Sequence, residues 1–119
     1  MYRSSLIMTS RDGNFSLRSY ESIGVKDTPY TALECISHDL AYKHVVEIRL
    51  NSIFQNYDGT PIHHKYRDCY VSHGIRSSKD TLEDTEDYIA VLEEAVDFAR
   101  KINCYLRTNK EWRADTEEE

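Results

Sequence analysis

From about Thr81 to Leu106 no proline or glycine interrupts a run in which apolar residues recur every three or four positions, the spacing of an amphipathic helix. At ~1.5 Å per residue such a helix is nearly ~40 Å long. A compact chain of 119 residues has a radius of gyration of only ~13 to 14 Å. The helix must therefore cross the whole domain, and the rest of the chain has to build a surface for it.

Two apolar stripes run along this helix. Ile89, Leu92, Val96, Ala99 and Leu106 take the a and d spacing of a heptad and are assigned to the sheet. Tyr88, Val91, Ala95, Phe98, Ile102 and Tyr105 form a second stripe beside it. Together they span roughly 200°, where packing on one sheet face needs only about 100°. Either a short helix or a loop covers the second stripe within one subunit, or Tyr88, Val91, Phe98, Ile102 and Tyr105 meet a second copy in a homodimer, or a target protein.

Charge is unevenly divided. The net charge is −6. Residues 1 to 79 carry ten Lys/Arg and eight Asp/Glu, whereas residues 80 to 119 carry five against thirteen. Asp80, Glu83, Asp84, Glu86 and Asp87 crowd the first turns of the helix, where its dipole favours negative side chains. Glu93, Glu94 and Asp97 continue the acidity past that region. A concentrated negative field opposes direct nucleic-acid binding by this face and suits a basic protein partner. The expected partner-binding carboxylates are Glu83, Glu86, Asp87, Glu93, Glu94 and Asp97.

Ahead of the helix, the sequence reads as strands. Ser5 to Tyr20 flanks Asp12-Gly13 with two strand-like runs, a hairpin signal. Pro29, at the first position after Asp27-Thr28, with Tyr30, Leu33, Ile36 and Leu40 at helical spacing, predicts a short helix to about Tyr42, although Thr31 to Ile36 also fits a strand. His44 to Asn51 alternates cleanly, with Val46, Ile48 and Leu50 on one side. The turn cluster Asn56 to Pro61 then leads to a return strand, Lys65 to Ser72. The expected fold is a two-layer α+β sandwich of ββαββα order, a four-stranded, mainly antiparallel sheet with the long helix across one face. One domain is expected over residues 1–113, with 114–119 as an acidic, frayed tail.

The alternative functional segment runs from His63 to Lys79. His63, His64, Arg67, His73, Arg76, Ser77, Ser78 and Lys79 gather basic and hydroxyl groups before a helix N-terminus, the makings of a site for a phosphorylated or nucleotide ligand in a binding domain or small enzyme. Asp80, Glu83 and Asp84 oppose an anion there, and no Walker or dinucleotide motif is present. Neither Cys35/His38 nor His63, His64, Cys69 and His73 has zinc-finger spacing, so no metal or cofactor is called for. No catalytic residue is assigned. Cys35, Cys69 and Cys104 lack any CxxC unit and fit a reducing cytoplasm with thiols buried in packing. No run approaches the ~18 apolar residues of a membrane span. The resulting expectation is a cytoplasmic, non-enzymatic inhibitor or immunity factor of phage or mobile-element type, acting in the host cytoplasm, that offers acidic side chains where a nucleic acid would present phosphates.

Overall fold

The computed structural model describes residues 2–23, 29–38, 45–53, 62–74 and 82–114. Strands β1 (Tyr2–Thr9) and β2 (Phe15–Ile23) form the expected hairpin. At its tip Gly13 takes φ +82°, a left-handed conformation that glycine enters without a Cβ penalty. The Gly13 amide donates to Ser10 O at 3.0 Å, and the Ser10 amide donates to Phe15 O at 2.9 Å. On β1 the register shifts between Leu6 and Met8.

The predicted short helix is instead a strand, β3 (Pro29–Ser37), antiparallel to β2 in unbroken register from Phe15↔Ser37 to Ile23↔Pro29. Ala32 and Leu33 are both buried although they point to opposite faces. Each face of β3 mixes apolar with polar residues, Leu33 with Thr31 and Ser37 on one and Ala32 with the exposed Glu34 on the other, so the period-2 pattern is lost and the apolar spacing imitates a helix. Pro29 sits at the first strand position, where a missing N–H is tolerated.

β4 (Val46–Ile53) and β6 (Lys65–His73) pair antiparallel and form a separate two-stranded sheet. The two-residue β5 (Ile62–His63) joins the first sheet, parallel to β3, giving the order β1-β2-β3-β5. The architecture is therefore α+β with antiparallel strands in two sheets, which corrects the single four-stranded sheet. Tyr66 supplies a reason for the split. Its buried hydroxyl accepts from Leu33 N at 2.8 Å and donates to Leu33 O at 3.2 Å, so a side chain occupies the edge of β3 that another strand would use. The turn Asn56 to Pro61 and the segment Arg76 to Lys79 lie outside the described residues.

The long helix, α1 (Leu82–Thr108), is present as expected. Its assignment of stripes holds only in part: Ala99 and Leu106 of the supposed inner stripe are buried, but most of the core-facing residues come from the other stripe. Val91, Ala95, Phe98 and Ile102, from the supposed outer stripe, are buried against Phe15, Leu17, Leu33, Val46, Ile48, Tyr66 and Cys69. Ile89, from the supposed inner stripe, is 46% exposed, and Leu92 and Val96 are only half-buried. Asn103 takes the first-stripe position between Ala99 and Leu106 and interrupts it with a polar residue, whereas the second runs on from Phe98 through Ile102 to Tyr105. The Asn103 amide instead bonds the outer edge of β6, accepting from Cys69 N at 2.7 Å and donating to Cys69 O at 3.2 Å.

Past the helix the chain turns back. Tyr66 N donates to Trp112 O at 2.8 Å, and Ala114 N donates to Tyr66 O at 2.9 Å. Ala114, expected in the frayed tail, is buried, and residues 115–119 lie outside the described residues. Asn103 and this hook together cover the open edge of β6, a part of the sheet that would otherwise invite pairing with other chains.

Candidate functional site

The helix carries most of the residues singled out by sequence, and the fold sorts them into three groups. Glu94 stands alone in the first. It is 1% exposed, one turn from Val91 and one turn from Phe98 on the packed side of α1, and faces the β1–β2 hairpin tip. Ser10 Oγ donates to its Oε2 at 2.5 Å, joined there by the main-chain amides of Asp12 at 3.0 Å and Asn14 at 3.2 Å. Asn14 Nδ2 donates to Oε1 at 2.6 Å. Ser10 Oγ also accepts from Phe15 N at 2.9 Å, so the turn is folded around the carboxylate.

Two forces act on the Glu94 proton. Burial on its own raises the carboxyl's affinity for it, and the bonds from Ser10, Asn14 and Asp12 lower it. The bonds prevail, and the group is held below its ordinary value of 4.5. A buried carboxylate with four donors is a structural anion, and its oxygens are occupied within the chain. The sequence had grouped Glu94 with the partner-binding carboxylates.

Glu86, Asp87, Glu93 and Asp97 form the second group, on the side of α1 turned away from the core. Glu86, Asp87 and Glu93 are exposed, and among the described residues Glu86 and Glu93 have no ion-pair partner. Asp97 is half-buried and pairs with Lys101 at 3.4 Å, one turn on. At helical spacing Glu86, Glu93 and Asp97 fall on one outward stripe. Glu83 lies in the first turn, and its side chain is outside the described set.

The proposed apolar interface makes up the third group. Val91, Phe98 and Ile102 belong to the core and present no surface. Tyr88 is half-buried, its hydroxyl 3.1 Å from His73 Nδ1 and donating to Gly74 O at 3.3 Å. Tyr105 is also half-buried. Burial and then the charge of Glu111 raise its phenol above the usual value, partly offset by hydrogen bonds with Trp112 and Asn109. The stripe is thus largely covered within the subunit, mainly by strands, with Trp112 and Asn109 of the turn after the helix beside Tyr105.

The His63 to Lys79 segment is described only to Gly74, mostly as strand β6. His64 stacks on Tyr66 with ring centroids 6.5 Å apart, and His73 stands at the far end of the strand. At ~3.3 Å per residue the two histidines are separated by ~30 Å, so the strand holds them apart. Arg67 is exposed, and the His63 side chain is outside the described set. Burial pushes the thiols of Cys35 and Cys69 up to about 12, leaving them protonated and weakly nucleophilic. Cys104 is exposed, contrary to the expected burial. Among the described residues no helix is long and apolar enough to cross a membrane.

The one local sign of the Glu94 tie is its place at the i+3 position from Val91 and the i−4 position from Phe98, a carboxylate inside an apolar stripe, which names none of its partners. Asn103 gave a similar sign. No protein-family model matches the chain, and neither a curated protein nor a solved structure matches it.

Proposed function

We propose that the chain is a non-enzymatic interaction protein that captures a basic, nucleic-acid-handling protein through the outward carboxylates of α1. In this reading it is an inhibitor or immunity factor of the phage or mobile-element kind, working in the host cytoplasm. The observation that carries the reading is the division of labour on one helix. Glu94 has four donors inside the fold, while Glu86 and Glu93 stand exposed without ion-pair partners among the described residues. Their negative charge is favourable near the helix start only over the first turn, and Glu93 lies well beyond it. Unpaired carboxylates such as Glu86 and Glu93 on a rigid element raise the encounter rate with a basic surface, by ~10- to 1000-fold at low salt.

The test is joint replacement of Glu86, Glu93 and Asp97 by lysine, with Glu94 left intact so that the fold survives. Affinity capture from host lysate with the parent chain should retain a basic protein, in a salt-sensitive manner. The triple variant, still helical by circular dichroism, should lose it. Retention of the same protein by the variant would contradict the reading, as would a parent chain that captures no basic protein.

A further inference from the structure

Strand β4 has one side committed to a ladder, with β6, and β3 pairs with β2 along its length and on its other side meets β5 only at Tyr30 and Thr31, so that side is free of a ladder from Ala32 to Ser37. Their other sides face one another across a cleft of about 380 Å³ lined by Glu34, Cys35, Ile36, Ser37, Glu47, Ile48 and Arg49. Among the described residues no ladder joins the two strands.

Antiparallel pairing fixes which main-chain groups point into that cleft, because bonded and non-bonded pairs alternate. Leu33 gives its N–H and C=O to Tyr66, and Phe15, opposite Ser37, gives its own to Ser10. Leu33, Cys35 and Ser37 therefore turn their main-chain groups away from β2. On the other side Gly74 N bonds Val45 O at 2.7 Å, and Cys69, opposite Leu50, bonds Asn103. Val46, Ile48 and Leu50 accordingly turn theirs away from β6. Cys35 and Ser37 on one wall and Ile48 on the other present facing rows of strand donors and acceptors.

From this geometry we infer that the cleft is a docking site for one extended segment of a partner protein, which joins β1-β2-β3 to β4-β6 as a shared strand. Only an extended main chain matches two facing strand edges, the basis of strand addition elsewhere. Charge narrows the segment further. Glu47 pairs with Arg49 at 2.6 Å, whereas Glu34 is exposed and has no ion-pair partner among the described residues. The segment that fits alternates small apolar residues with a basic residue placed against Glu34. A strand seated between the edges sets them ~9.5 Å apart, twice the ordinary strand spacing, so the two sheets splay about the Tyr66–Leu33 link as it enters. The cleft opens on the face opposite α1, because Glu47 and Arg49 alternate with the core-facing Val46 and Ile48. It is therefore independent of the outward carboxylates.

The probe is a short synthetic peptide of alternating valine and lysine, titrated into the isotope-labelled full chain by NMR. The amides of Cys35, Ser37 and Ile48 should shift together and exchange with solvent more slowly. A peptide N-methylated at alternate residues should lose at least tenfold in affinity, and Glu34→Lys should weaken the parent peptide by a similar factor. Ser37→Pro removes a cleft donor without removing a β2 bond and should also weaken it. Shifts confined to Glu86, Glu93 and Asp97 would show attraction to the acidic helix alone and overturn the inference. It is overturned equally by no shift at millimolar peptide, or by the same cleft shifts appearing on raising the protein concentration without peptide, which would mean that a second copy fills the cleft.

Discussion

Glu94 is where residue-scale chemistry and fold meet. A buried charge without partners is costly, but here four donors face two oxygens, and hydrogen bonds to an ionised group are stronger than neutral ones. The consequence for pH has a definite sign. The unfolded chain binds this proton at the ordinary 4.5, and the folded chain binds it only at lower pH. The stabilisation is fully present above about pH 4.5 and is lost as pH falls through the folded-state value. Glu94→Gln should therefore cost about 1–3 kcal/mol at neutral pH and flatten the fall in stability below pH ~4.5, as read by urea titrations across that range. The Cys69 main chain, held by Asn103, offers a second residue-scale check. Asn103→Ala strips both partners from the Cys69 main chain and should cost about 1–3 kcal/mol, with accelerated exchange of the Cys69 amide.

Among the elements, those whose faces separate polar from apolar residues were legible and those whose faces mix them were not. β4 shows polar Glu47, Arg49 and Asn51 against Val46, Ile48 and Leu50, and its alternation was unambiguous. The β1–β2 hairpin was announced by Asp12-Gly13. β3 was read first as a helix because both of its faces mix apolar and polar residues, Leu33 with Thr31 and Ser37 on one and Ala32 with Glu34 on the other, which left Tyr30, Leu33, Ile36 and Leu40 to imitate a helix. For α1 the existence of the helix was plain, but its rotation was decided by tertiary fit. Two stripes at equal spacing are equivalent by periodicity; Asn103 on the first counts against burying it, but Glu94 beside the second counts the other way, so local pattern left the rotation undecided. The rotation is directly testable. Phe98→Ala should destabilise by about 3–5 kcal/mol through a core cavity, while Ile89→Ala, at a 46% exposed site, should stay within about 1 kcal/mol. Equal losses at the two positions would contradict the assigned face.

At the scale of the molecule, polar ties among the described residues fasten the first sheet to the helix and the second sheet besides the core. Glu94 fastens the hairpin tip to α1 across 80 to 84 residues of sequence, and Tyr66 fastens β3 to β6. Such long-range ties are invisible to local pattern, which is why the concentration of acidity in the last third was readable while its division between folding and surface was not. The two adjacent carboxylates Glu93 and Glu94 embody that division. The most direct test is urea unfolding at neutral pH of Glu93→Gln beside Glu94→Gln. We predict that the first unfolds with the parent chain, within about 0.5 kcal/mol, and that the second loses about 1–3 kcal/mol. Equal midpoints for the two variants, or a greater loss at Glu93, would contradict the account.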